Sequence, residues 1–116
     1  MKVRIGEIYF KKVMEMTLNE LEIKVGNWAL AKGILEKENA PKQMLKVMEE
    51  VGETAGALLK GNEEELKDGI GDSFVTLIIL AKQLGYTPAE CLEAAWEEIK
   101  NRKGKTKDGV FVKDEK

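Results

Sequence analysis

The segment SFVTLIILA, residues 73–81, decides the fold class of this chain of 116 residues. Its length and β-branched residues are compatible with a buried strand, and the preceding DGIGD, residues 68–72, could form a turn. A helix is favoured, because Glu, Lys, Leu, Ala and Met are abundant and the chain has only two prolines. If the segment is helical, its middle is apolar on nearly all sides. It must then pack against two or more neighbours, as in a bundle or dimer.

Four helices are predicted, over about residues 17–31, 41–60, 62–84 and 87–101. Each begins with a capping residue or proline, and the first three end before a glycine. The residues that carry these signals are Thr17 with Glu20, Pro41, Asn62, and Thr87 with Pro88 and Glu90 at the starts, and Gly33, Gly61 and Gly85 at the ends.

The two ends of the chain are assigned less regular structure. Residues 1–16 form an N-terminal arm whose pattern fits a strand, a helix extension or a loose segment. Residues 102–116 form a basic C-terminal tail, in which RKGKTKDGVFVK contains an Asp-Gly turn and an alternating strand pattern, typical of a short hairpin or extended arm. The sequence therefore predicts one all-α domain over residues 1–116, a four-helix bundle with this tail.

Composition narrows the classes of function. The net charge of −2 argues against general nucleic-acid binding, and the longest apolar run is too short to cross a bilayer. The chain has no histidine, which excludes any catalytic triad that needs one. Its single cysteine, Cys91, excludes an internal disulfide. We expect a cytoplasmic protein without nucleic-acid or membrane partners. Cys91 and Trp96, both on the apolar face of the fourth helix, are interpreted as core residues.

The second predicted helix carries an acidic cluster in KVMEEVGETAG, residues 46–56. At 100° per residue, Glu49, Glu50 and Glu53 fall together on one side. A solvated face is the ordinary interpretation of such a cluster, and a metal site is the alternative. The opposite side is a predicted apolar stripe of Met44, Met48, Val51, Ala55 and Leu58.

The third helix favours the metal site. Asp72 shares a face with Asp68 and Glu65, and that acidic ridge runs into the part of the helix that must be buried. A carboxylate at the edge of a core needs a partner. Carboxylates on two antiparallel helices can surround one hard cation, for which Mg²⁺, or alternatively Mn²⁺, is expected because all the available ligands are oxygens.

These residues resemble the all-α nucleoside triphosphate pyrophosphohydrolases of the MazG type, whose signature is EExxE followed on the next helix by ExxD. EEVGE, residues 49–53, matches the first half, and similarity continues in NWALAKGIL, GDSFVTLIILAKQLG and EEIKNRKGKTKDGVFVK, as in short, stand-alone or phage-type members. The resemblance covers roughly residues 18–113. It implies a helical homodimer or homotetramer that hydrolyses (deoxy)nucleoside triphosphates to monophosphate and pyrophosphate with Mg²⁺, as nucleotide-pool housekeeping.

The second half of the signature departs from the family pattern. Gly69 stands where the family has glutamate, and Asp72 stands at its aspartate. Asp68 could supply the missing carboxylate, whereas Glu65 with Asp68 would keep the ExxD spacing in a shifted register. The resemblance implies Glu50, Glu53, Asp68 and Asp72 as metal ligands, and Glu49, Glu50 and Glu53 as catalytic residues, with Glu49 either a ligand or the base that activates water.

A triphosphate also needs cations and a place for its base. The candidate substrate-binding residues are Trp28, Lys46, Arg102, Lys103 and Lys105. Each has a structural alternative: complementing the helix dipole for the three C-terminal residues, an ion pair with Glu50 for Lys46, and a core or dimer contact for Trp28.

Two other functions remain open on the sequence. A catalytically silent helical oligomer could act as a binding or regulatory module that lost its chemistry with the glutamate at position 69. A structural dimer could instead use its acidic face to bind basic partners.

Overall fold

The computed structural model describes residues 15–114, which are mostly α-helical with a small two-stranded sheet. Most of the predicted N-terminal arm therefore lies outside the described residues, as do the last two residues of the tail. The segment 73–81 is helical. The elements are α1 (Leu18–Ala31), a 3₁₀ turn (Lys37–Asn39), α2 (Ala40–Lys60), α3 (Glu63–Gln83), α4 (Pro88–Ile99), β1 (Gly104–Lys107) and β2 (Val110–Lys113).

The predicted capping boxes begin α1 and α4. The Thr17 hydroxyl accepts from the Glu20 amide, and the Glu20 carboxylate accepts from the Thr17 amide. Thr87 and Glu90 form the same reciprocal pair, with distances of 2.9 and 3.1 Å. Each box satisfies amide groups that have no partner within the helix, so both boundaries are fixed by local sequence.

A turn of only two residues, Gly61 and Asn62, joins α2 to α3. Gly61 has a φ of 71°, a left-handed conformation that favours glycine, and it closes the end of α2. The Asn62 side chain accepts from the Glu65 amide at 3.1 Å and caps α3. So short a connection makes α2 and α3 antiparallel neighbours.

The predicted C-terminal hairpin is confirmed. β1 and β2 pair antiparallel, with Gly104 opposite Lys113 and Lys107 opposite Val110. Asp108 and Gly109 have φ values of 50° and 79°. Positive φ at both central positions is typical of a two-residue turn whose twist suits a hairpin.

The contact between α2 and α3 does not use the apolar stripe of α2. Its buried or half-buried residues include Val47, Glu50, Thr54 and Ala57, with Gln43 donating to the Thr76 carbonyl at 3.1 Å. Within residues 15–114 the predicted apolar stripe of α2 lies outside this contact and is exposed. Small side chains let the two helices approach closely, and the larger apolar residues are left facing outward. These exposed residues are Met44, Met48, Val51, Ala55 and Leu58.

The first helix packs on the C-terminal half of α3 through a partly buried ion pair. Lys82 Nζ lies 3.2 Å from a Glu22 carboxylate oxygen, and the Lys82 side chain crosses α1 at Gly26. A side chain at position 26 would meet the Lys82 stem, so glycine makes room for this crossing. Nearby, the Gln83 side chain donates to the Ile34 carbonyl at 2.8 Å and holds the segment that follows α1.

The fourth helix does not bury its apolar face. Cys91 is exposed and Trp96 is 54% exposed, so the prediction that both are core residues was wrong. The sequence of α4 is amphipathic as predicted, but no residue in the range 15–114 covers its apolar face. No helix in this part of the chain is long and apolar enough to span a membrane.

Candidate acidic site

The antiparallel α2–α3 pair has two opposite flanks, because residues two positions apart on a helix point about 200° apart. On one flank lies a cavity of about 370 Å³, here called the acidic cavity. It contains four carboxylates and one cation. Its lining residues are Glu53, Gly56, Ala57 and Lys60 from α2, and Glu65, Asp68, Gly69 and Asp72 from α3.

Three of the four predicted metal ligands, Glu53, Asp68 and Asp72, line this cavity together. Glu65, which belongs to the shifted register, lines it as well. The structure therefore brings both halves of the predicted constellation to one place, and it accommodates either register of the second half.

The fourth predicted ligand, Glu50, is half-buried at the contact between the helices. Burial raises the pKa of its carboxyl above the ordinary value of 4.5, and the negative charges of Glu53 and Asp72 raise it further. Lys46 acts in the opposite direction. Glu50 thus couples electrostatically to a carboxylate on its own helix and to one on α3, so this part of the protein concentrates negative charge that a cation would relieve.

We expect Glu50→Gln to stabilise the protein at neutral pH without added metal. A carboxyl whose pKa is raised in the folded state binds its proton more tightly there than in the unfolded chain. The free energy of unfolding therefore falls as the pH rises from the pKa of the unfolded state to the higher pKa of the folded state. Above the folded-state pKa the loss is complete. Urea unfolding from acidic to neutral pH should show that fall in the wild type and a smaller fall in Glu50→Gln.

The exposed Glu93 on α4 provides the control for that measurement. Glu93→Gln removes the same charge elsewhere and should leave the wild-type pH dependence in place. If the stability of Glu50→Gln varied with pH as the wild type does, Glu50 would not be the source of the pH dependence.

Glu49, the first residue of the EExxE motif, forms an ion pair with a lysine on its own helix. Its side chain is exposed and accepts from Lys46 Nζ at 3.3 Å. Lys46 therefore pairs with Glu49 and not with Glu50, as the structural alternative for Lys46 had assumed. Neither residue lines the acidic cavity, so both stand near it as an exposed pair rather than inside it.

Gly69 is buried at the closest approach of the two helices. A Cβ built there would lie 2.5 Å from Thr54 Oγ1 and 3.2 Å from Thr54 Cα. The Thr54 hydroxyl donates to the Glu50 carbonyl at 2.7 Å, and the Ser73 hydroxyl donates to the Gly69 carbonyl at 2.8 Å. The absence of a glutamate at position 69 thus coincides with a tight contact that has no space for one.

Oxygen ligands suited to a hard cation are present, but they are not drawn together. Within the described range 15–114, no three acidic or cysteine side chains stand close enough to hold one metal ion. The four predicted ligands fit Mg²⁺ in chemical type. Their side chains would have to turn inward around the ion.

The predicted substrate-binding residues lie elsewhere. Trp28 is 53% exposed on α1, so it is not a core residue, and Arg102 contacts Glu98 at 3.9 Å. Lys103 and Lys105 are exposed in and beside the hairpin. None of the predicted substrate-binding residues lines the acidic cavity.

Lys60 is the cation that sequence reasoning missed, since it lines the cavity from the last turn of α2. It follows Glu53 by seven residues, which places both on the same side of a helix. That spacing could have identified it.

Part of this chain is similar to a phage protein. No protein-family model and no solved structure matches the chain. An uncharacterized 18.2 kDa protein from the rep-hol intergenic region of Haemophilus phage HP1 is 39% identical over 66 residues. The match covers 57% of this chain but only 40% of the phage protein, and the name of that protein states no activity.

Proposed function

We propose that this chain is a MazG-type pyrophosphohydrolase that hydrolyses (deoxy)nucleoside triphosphates to monophosphate and pyrophosphate. The observation that carries the proposal is that Glu53, Asp68 and Asp72 line one cavity between α2 and α3, while Glu53 and Asp72 also raise the pKa of Glu50. The EExxE resemblance and the helical architecture support the same assignment.

Each carboxylate has a proposed part in this activity. Glu50, Glu53, Asp68 and Asp72 would hold Mg²⁺. When bound, Mg²⁺ supplies positive charge for the phosphates and lowers the pKa of water. Glu49 is exposed beside this group, where it can accept a proton from water as a general base.

Lys60 provides a cation on the rim of the same cavity, where it can meet phosphate oxygen atoms. The proposed reaction breaks the phosphoanhydride between the α and β phosphorus atoms. Water supplies the oxygen of the new P–O bond, and pyrophosphate leaves. Housekeeping of the nucleotide pool is the proposed purpose.

The test is direct assay with a panel of standard and modified nucleoside and deoxynucleoside triphosphates, with Mg²⁺ and separately with Mn²⁺. We expect monophosphate and pyrophosphate in equal amounts from at least one substrate, and no turnover in EDTA. Release of orthophosphate alone would indicate a different reaction. No turnover of any substrate with either metal would refute the enzyme assignment.

A catalytically silent helical module is the second candidate. Gly69 favours it, because one carboxylate of the family pattern is missing there. In residues 15–114, the carboxylates are also not close enough together to hold a metal ion without moving. Calorimetric titration with the same nucleotides distinguishes the two: this candidate requires nucleotide binding without product, whereas the enzyme requires product.

A further inference from the structure

The hairpin of β1 and β2 is basic and stands apart from the helices. Residues 103–113 contain four lysines and one aspartate, in a chain whose net charge is −2. In the part of the chain that the structure describes, each strand packs extensively only on the other strand. Every residue of the two strands and their turn is exposed except Gly104. Both faces of the hairpin are therefore accessible to a partner.

One face of the hairpin carries a row of lysines. Lys105 and Lys107 are two residues apart on β1, so their side chains share a face, and Lys105 pairs with Val112 there. The Asp114 amide donates to the Lys103 carbonyl at 2.8 Å, so pairing continues by one residue and Lys103 joins the same row. Along a strand, such residues follow one another about every 7 Å. None of the three forms an ion pair with a described residue, so their charges are available to a chain of regularly spaced anions.

The other face of the hairpin carries an aromatic ring. Phe111 lies across from Thr106, and Lys113 lies across from Gly104 on the same face. A Cβ built on Gly104 would lie 2.5 Å from Phe111 Cζ, so the ring extends over the glycine and close to the backbone of β1. The Phe111 side chain is nevertheless 51% exposed. It therefore presents a ring surface, with a lysine beside it, on which a flat group can stack.

The combination of spaced cations and an exposed ring fits single-stranded nucleic acid. Proteins bind such strands with basic groups along the phosphates and aromatic side chains under the bases. In a duplex the bases are stacked on one another, so the Phe111 ring could not reach their faces. An anionic membrane fits less well, because Asp108 in the turn places a negative charge at the tip of the hairpin.

We propose that the β1–β2 hairpin binds single-stranded nucleic acid along the outer edge of β1. Lys103, Lys105 and Lys107 meet the phosphates, because their long side chains can bend around that edge. Phe111 stacks on a base over Gly104, which lies in the same strand. The expectation of no nucleic-acid partner rests on the net charge of the whole chain, which does not describe the charge of this segment. The proposal does not depend on the hydrolysis of nucleoside triphosphates.

Fluorescence anisotropy with labelled oligothymidylate and oligouridylate of about twelve nucleotides tests the proposal. EDTA in the buffer prevents any metal-dependent hydrolysis. The wild type should bind at low salt, and log Kd should rise with log salt concentration with a slope of about 2, as expected for three phosphate contacts. Lys105→Gln combined with Lys107→Gln should weaken binding at least about 10-fold and reduce that slope. Phe111→Leu should weaken binding about 5-fold or more, whereas Phe111→Tyr keeps the ring and should bind as the wild type does.

Lys24→Gln combined with Lys42→Gln is the matched control, since it removes the same charge from exposed positions on α1 and α2. This variant should bind the strands within about 2-fold of the wild type. Absence of wild-type binding at low salt, or undiminished binding by the hairpin lysine variant, would overturn the proposal. So would binding of a duplex of the same length, of phosphatidylserine vesicles or of deoxythymidine triphosphate as tightly as the single strand. The last result would assign the lysines to one nucleotide instead of a strand.

Discussion

Glu53→Gln is expected to reduce turnover of the best nucleoside triphosphate by at least about 100-fold, the scale of effect seen when a metal ligand or general base is lost. Glu53 is the one residue of the EExxE motif that lines the acidic cavity, and it also raises the pKa of Glu50. The substitution keeps the shape of the side chain and removes its charge. Steady-state assays over a range of Mg²⁺ concentrations measure the effect.

The accompanying measurements exclude a trivial loss of structure. Helical circular dichroism and sedimentation of Glu53→Gln should match the wild type, because position 53 is exposed. Glu93→Gln, on the exposed surface of α4, should retain full turnover. If Glu53→Gln turned over substrate at the wild-type rate, the acidic cavity would not take part in catalysis.

Gly69→Glu is expected to lower the free energy of unfolding by about 3 kcal/mol or more, as an overpacked and partly buried charge does. The family pattern alone suggests the opposite result, a restored ligand with tighter metal binding. In the structure, even a Cβ at position 69 would contact the Thr54 backbone. A glutamate there would separate α2 from α3. Urea unfolding at fixed protein concentration measures the loss.

Gly71→Glu is a closely matched control. It adds the same side chain to the same helix two residues later, at an exposed position where nothing lies within 4 Å of a new Cβ. Glutamate forms helix better than glycine by up to about 1 kcal/mol, so this variant should be as stable as the wild type or more so. Equal stability of the two variants, or tighter Mg²⁺ binding by a stable Gly69→Glu, would refute the packing argument.

The helix boundaries could be predicted because their causes are local. Thr17, Thr87 and Gly61 act through hydrogen bonds or backbone conformations within a few residues, so short motifs contain all the necessary information. The Asp108-Gly109 turn is of the same kind. For the segment 73–81 the pattern permitted strand or helix, and the composition of the chain together with the family resemblance favoured the helix that is present.

The packing faces could not be predicted in the same way. Periodicity identifies the apolar stripe of α2, but it does not say whether that stripe meets α3 or another chain. The choice depends on close approach at Thr54 and Gly69, which is a property of two helices together. For the same reason the half-buried position of Glu50 was not expected, and Cys91 and Trp96 were assigned to a core that residues 15–114 do not provide.

The candidate site was predicted in part. Glu53 of α2 and Asp68 and Asp72 of α3 line one cavity, because their spacing on antiparallel helices is enough to place them on the same flank. The basic residues near the C-terminus are separated from that pair by α4, and sequence spacing gives no orientation across such a connection. Their role in binding substrate stays a prediction.

The two-residue turn at Gly61 and Asn62 also bears on the order of events in folding. It places both acidic halves, Glu53 and Asp72, on one continuous stretch of chain, so the carboxylates meet through local contacts. Such contacts form quickly, since little loop entropy must be lost. The carboxylates of Glu53 and Asp72 therefore repel each other as soon as the α2–α3 hairpin forms. At the proposed metal site, a divalent cation in the refolding buffer would therefore act on that early step as well as on the folded protein.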